Sequence, residues 1–122
     1  MKTYQVTVYP DRTEWKFDGE YHRENGPAIE YDNGSKFWYI NGKPHREDGP
    51  AIERVSGSKF WYINGELHRE NGPAVKYANG TKLWFINGKE LTEDEFKNRN
   101  VKELSMDELE KILGHKVKIV KK

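Results

Sequence analysis

Three times in 122 residues, histidine, arginine and glutamate stand side by side: His22-Arg23-Glu24, His45-Arg46-Glu47 and His68-Arg69-Glu70. Each side chain has chemistry available. An imidazole can shuttle a proton or bind a metal, a guanidinium grips carboxylate or phosphate, and a carboxylate can serve as a base. Spacing narrows the choice. The interval from His22 to His45 is the same as that from His45 to His68. In a sheet that adds one hairpin per triplet, equivalent residues lie two strand spacings apart, about 9.5–10 Å. Zinc holds ring nitrogens at about 2.0–2.1 Å, so the three histidines do not converge on one ion. The chain has no cysteine to supply a thiolate. A nucleophilic triad is a single constellation, not one present in triplicate. Ser35, Ser58 and Thr81 each follow a glycine, where hydroxyl residues serve as turn formers. Asn-Gly and Asp-Gly are not followed by a helix, so no phosphate loop is present. The sequence therefore predicts no catalytic residue, no metal site and no cofactor.

The elements that carry the triplets follow from the same period. Tryptophans fall at Trp15, Trp38, Trp61 and Trp84. Three units run 15–37, 38–60 and 61–83, and a partial unit covers 84–90. The first and second units are identical at more than half of their positions, and so are the second and third. A fixed period without insertions signals stacked supersecondary units. Ser58-Lys59-Phe60-Trp61-Tyr62-Ile63 has the aromatic and branched residues of a strand. Asn64-Gly65 then supplies a type I′ turn, as do Asn41-Gly42 and Asn87-Gly88, with Asp18-Gly19 as a close equivalent. A Gly-Pro bend after each triplet leads into a second short strand such as 51–55. Gly34, Gly57 and Gly80 turn the chain back toward the next tryptophan. The expected fold is mainly β: an elongated antiparallel sheet of stacked hairpins.

Both ends differ from the units. Residues 1–14 read as an N-terminal capping strand, with Tyr4, Val6 and Val8 alternating on one face. Residues 91–122 read as a helical C-terminal cap. Leu91 and Thr92 replace the histidine and arginine there. Thr92-Glu93-Asp94-Glu95 and Ser105-Met106-Asp107-Glu108 are capping boxes, so two short helices are expected within 91–114, the second over 106–113 and stopped by Gly114. Residues 115–120 alternate as a final strand.

Composition agrees with a thin fold. Hydrophobic residues make up 34%, and the mean hydropathy is -1.04. Aromatic residues reach 13%, which argues against disorder. No segment approaches the roughly 20 apolar residues of a membrane span, and no apolar signal core follows Met1-Lys2, so a cytoplasmic protein is expected. The net charge is +1, with the basic residues weighted toward the tail: residues 97–122 hold 8 Lys/Arg against 4 Asp/Glu. That is too little field to announce nucleic-acid binding, although Lys36, Lys59 and Lys82 each stand two residues before a tryptophan, on the same strand face.

The tryptophan strand, the turn glycine, the histidine three residues beyond it and the second turn glycine (Trp38, Gly42, His45 and Gly57 in the middle unit) resemble a MORN repeat, over residues 15–96. The HRE[DN]GPA form is similar to divergent MORN-like repeats of tailed-phage and giant-virus proteins. That resemblance implies an elongated antiparallel sheet and a binding or scaffolding role. It points to a non-enzymatic protein-binding module, a phage accessory protein that engages or inhibits a host defence factor in the host cytoplasm. The expected partner-binding residues are His22, His45, His68, Arg23, Arg46, Arg69, Glu24, Glu47 and Glu70. The competing readings are a structural one and a chemical one. In the first, arginine–glutamate ion pairs ladder along the sheet, and each histidine donates to a turn carbonyl and pins the Gly-Pro bend. In the second, the Arg, His and Lys columns bind nucleic acid or small anions.

Overall fold

The computed structural model describes residues 3–103. The chain divides into two units, Met1–Leu91 and Thr92–Lys122. The first is antiparallel β-structure. Its strands are β1 (Tyr4–Val8), β2 (Arg12–Phe17), β3 (Glu20–Tyr21), β4 (Ile29–Tyr31), β5 (Lys36–Phe37), β6 (Tyr39–Ile40), β7 (Lys43–Pro44), β8 (Ile52–Glu53), β9 (Lys59–Phe60), β10 (Tyr62–Ile63), β11 (Glu66–Leu67), β12 (Val75–Lys76), β13 (Lys82–Ile86) and β14 (Lys89–Leu91). The main sheet runs in the order β1-β2-β4-β5-β8-β9-β12-β13-β14, with β3 also paired to β2. Two further hairpins, β6-β7 and β10-β11, form separate two-stranded sheets.

The tryptophan strand is not continuous in the middle units. It breaks at Trp38 and at Trp61, because the backbone there changes partner. The Trp38 amide donates to Ala51 O at 2.7 Å, while its carbonyl accepts from the His45 amide at 3.0 Å. The first half of the strand pairs into the main sheet and the second half into its own hairpin. The same pair of bonds recurs one unit on, from Trp61 to Ala74 and from His68 to Trp61.

The turns follow their residues. Asp18, Asn41, Asn64 and Asn87 have φ between 50° and 53°, and the glycine after each is also positive, as a type I′ turn demands. The outer turns are three-residue loops. In each, a four-residue turn closes on a left-handed glycine, with Gly34 N donating to Tyr31 O at 3.0 Å and Gly57 N to Arg54 O at 2.9 Å. The Asn33 and Asn79 side chains accept from the amides of Ser35 and Thr81 at 2.9 Å, stiffening the same loops.

Tryptophan does not form the core. The buried apolar residues of this unit are Ala28, Ile29, Ala51, Ala74 and Val75, whereas Trp38, Trp61 and Trp84 are only half-buried. The alanine after each Gly-Pro is fully buried because the tryptophan amide reaches its carbonyl at 2.6–2.8 Å, which brings the two backbones together. One sheet face carries Ile29, Phe37, Ile52, Phe60, Val75 and Leu83 as directly opposed neighbours.

In the second unit, helix α1 spans Glu93–Glu103. Its capping box is closed in both directions: Thr92 N donates to Glu95 Oε1 at 2.9 Å, and Glu95 N donates to Thr92 Oγ1 at 3.1 Å. Three acids in the first turn suit the positive end of the helix dipole. The helix expected over 106–113 and the strand over 115–120 lie outside the described residues.

Gly65 has φ +83°, and a β-carbon there would have the Lys43 side chain as its nearest neighbour, at an ordinary contact distance of 3.5 Å. Gly65→Val should therefore cost backbone strain alone, about 1–3 kcal/mol. A drop in melting temperature measures it, and an unchanged melt would contradict the left-handed turn.

Candidate functional site

Each member of the triplet has a different environment. The histidine reaches forward into the next unit. The amide of Asn41 donates to His22 Nδ1, that of Asn64 to His45 Nδ1, and that of Asn87 to His68 Nδ1, all at 2.9 Å. Nδ1 must be unprotonated to accept, which places the ring proton on Nε2. An imidazolium has no acceptor to offer there. So the histidine does not pin the Gly-Pro bend by donating to a turn carbonyl. It accepts, and the group it holds is the first residue of the following type I′ turn. Nε2 stands 3.7, 3.7 and 3.8 Å from Glu24, Glu47 and Glu70, too far for a hydrogen bond.

The arginine turns back on its own unit. Arg23, Arg46 and Arg69 lie over the rings of Trp15, Trp38 and Trp61, with 4.0, 3.9 and 4.0 Å from guanidinium carbon to ring centroid. This is cation–π geometry. On the other side each Nη1 donates to the proline carbonyl of the bend, Pro27, Pro50 or Pro73, at 3.1–3.2 Å. It is arginine, then, that pins the Gly-Pro bend. The glycine before each proline leaves room for the guanidinium in this contact. A β-carbon at Gly26, Gly49 or Gly72 would stand 2.8–2.9 Å from the guanidinium carbon. Spacing in the sequence gave no sign of this sandwich, because tryptophan and arginine meet only through the hairpin that separates them along the chain.

The middle arginine is further neutralised. Arg46 pairs with Asp48 at 2.9 Å and reaches Glu53 at 3.5 Å. Its hydrogen bond holds the Asp48 carboxyl below the usual carboxylate range. Arg69 differs: burial pushes its pKa down, and no ion pair to a carboxylate offsets it among the described residues.

The glutamates face solvent. Glu24, Glu47 and Glu70 are 73%, 85% and 78% exposed, against 20% for Arg46. Between successive triplets lie two open grooves of about 780 and 790 Å³. Trp38 and Ile40 floor one and Trp61 and Ile63 the other, and both are rimmed by the carboxylates of the flanking triplets. The nine triplet residues thus come together as three equivalent clusters, not as one centre. Among the described residues no group of three or more His, Asp or Glu is placed to hold a metal ion, and no helix is long and apolar enough to cross a membrane.

A second tie between units had no sequence signal beyond a turn serine. Ser35 Oγ accepts from the Val55 amide at 2.9 Å, and Ser58 Oγ from the Ala78 amide at 3.0 Å. Both serines are buried. In the first unit the equivalent amide, that of Asp32, donates instead to the Asp11 carbonyl of the capping strand's turn at 2.9 Å.

No family model, no curated protein and no solved structure matches this chain.

Arg46→Ala removes the stack on Trp38 and the Pro50 bond together and should cost about 2 kcal/mol in thermal or urea unfolding. Arg46→Lys should not restore it, because an ammonium lacks the planar fork. His45→Ala strands the Asn64 amide at a part-exposed site and should cost about 1 kcal/mol. Glu47→Ala should stay within about 0.5 kcal/mol of wild type. A Glu47→Ala loss equal to that of Arg46→Ala would overturn this division.

Proposed function

We propose that the chain is a non-enzymatic protein-binding module built of stacked MORN-like repeats, and that the carboxylates of Glu24, Glu47 and Glu70 form the row a partner reads. The observation that carries the proposal is the split within each triplet. Nδ1 of each histidine and Nη1 of each arginine bond within the fold, while each glutamate side chain is largely exposed beside an open groove. A row of like charges held on rigid turns loses little entropy on binding, and the tryptophan and isoleucine between them add apolar area. Arginine and histidine enter the interface through their exposed edges, positioned by the bonds described above. The chemistry that fits such a surface is a basic segment with lysine or arginine repeated at about the spacing of two strands, roughly 10 Å. The resemblance to phage and giant-virus repeats makes a host protein, defence factors among them, the first class to test, in the host cytoplasm.

The test is a triple substitution of Glu24, Glu47 and Glu70 to Lys, beside wild type, in crosslinked pull-downs from a host lysate. A partner captured by wild type and lost by a variant with unchanged melting temperature supports the row. Equal capture by both places the interface elsewhere. Arginine substitutions do not serve here, since they remove the tryptophan stack and report on folding.

A further inference from the structure

Strand register sets one residue from each of seven main-sheet strands, β2, β4, β5, β8, β9, β12 and β13, in a single line that is charged from Glu30 onward. Thr13, Glu30, Lys36, Glu53, Lys59, Lys76 and Lys82 follow one another as directly opposed neighbours. From Glu30 to Lys59 the signs alternate, the arrangement that stabilises a sheet face. At Lys76 the alternation fails. The first two units place glutamate at this position, Glu30 and Glu53, and the third places lysine. Three lysines then stand side by side across β9, β12 and β13.

The break reaches the neighbouring arginine. In the second unit, Arg46 on Trp38 reaches Glu53 at 3.5 Å. In the third, Arg69 sits on Trp61 at 4.0 Å, and the residue equivalent to Glu53 is Lys76, whose ammonium is 6.0 Å from the same ring. Arg69 and Lys76 therefore meet at one indole with like charge. Neither they nor Lys59 and Lys82 form an ion pair within the described residues. The acid next in the line is Glu53, opposite Lys59, and Arg46 already engages it. The half-buried Arg69 loses hydration with no ion pair to a carboxylate in return among the described residues.

We propose that Arg69, Lys76, Lys59 and Lys82 form a binding site for a compact oligophosphate anion of two or three linked phosphates. Phosphate chemistry fits because its oxygens can accept from a guanidinium fork and from several ammonium groups at once. A compact ligand fits because the cationic stretch from Lys59 to Lys82 spans two strand spacings, about 9.5 Å. Beyond Lys59 the line runs into Glu53 and Glu30, which repel a polyanion laid along the face. The site lies on the sheet face and shares Arg69 with the third triplet, next to Glu70 of the proposed carboxylate row.

Titration calorimetry of the full chain with inorganic tripolyphosphate at low salt tests it. Wild type should bind one equivalent. Lys76→Glu, which reinstates the second unit's arrangement, should weaken binding at least tenfold while raising the melting temperature without ligand by a few degrees. Lys82→Gln, at an exposed position, should weaken binding at least threefold. Lys43→Glu makes the same charge change away from the site and should leave binding within twofold. No binding by wild type overturns the proposal, and so does an equal loss in Lys43→Glu and Lys76→Glu. Tighter binding of a single-stranded oligothymidylate that strengthens with length overturns the compact ligand.

Discussion

A backbone amide in each inner turn after the first is held by the imidazole of the unit before it, a directional side-chain tie that joins the backbone bonds between successive hairpins. The sheet has few buried apolar residues with which to fix one hairpin against the next. Apolar burial is non-directional and would tolerate sliding. A hydrogen bond to Nδ1 of an enclosed ring would not, because it is met at one position only. The buried serine at the other end of the unit repeats the device. Two side-chain acceptors in a unit (His22 and Ser35 in the first, His45 and Ser58 in the second) thus reinforce the register at its inner and outer turns.

With the register fixed, the tryptophan becomes a platform more than a core residue. Its amide and carbonyl switch the chain from the main sheet into a separate hairpin, and its ring receives the arginine that closes the Gly-Pro bend. The groups pack in sequence. The ring carries a planar cation, the cation lies beside a residue without a β-carbon, and the bend beyond leads into a small buried residue, Ala28, Ala51 or Ala74. The Arg-x-x-Gly-Pro-Ala string is the linear record of that stack. Glutamate and the following Asn or Asp sit between the arginine and the glycine, at the apex, turned toward solvent.

Much of this was legible in the residues. Asn-Gly specified the inner turns, the later glycines the outer ones, and the Thr92/Glu95 pair the start of α1, because each depends on contacts within a few positions along the chain. The histidine's partner was not legible, since the choice between donating and accepting is made by a backbone amide 19 residues away. Nor was the arginine stack, which depends on the hairpin folding tryptophan and arginine onto one another. Arginine–glutamate ladders were the natural expectation for neighbouring opposite charges. Adjacent side chains point different ways, however, and Arg46 takes its carboxylates from Asp48 and Glu53 instead. Lys76 was readable as a departure from Glu30 and Glu53, but its consequence appears only once register sets it between Lys59 and Lys82.

Repetition within the chain therefore carries a meaning opposite to the one that triplicate His-Arg-Glu first suggests. A residue that makes the same internal bond in every unit must recur in every unit, however small its energy, because each unit has the same amide, ring or bend to satisfy. Tryptophan, histidine, arginine and Gly-Pro-Ala recur on that ground. A residue that makes no bond common to all units can change from one to the next, and a change there alters the surface without altering the fold. Lys76 stands at such a position, between strands whose pairing it does not set, and so does the Asn25, Asp48 and Asn71 series at the apex. The repeated positions that bond within the fold describe how the sheet is built, and a ligand is specified at exposed or partly exposed positions, whether they recur as the glutamate does or depart from their neighbours as Lys76 does.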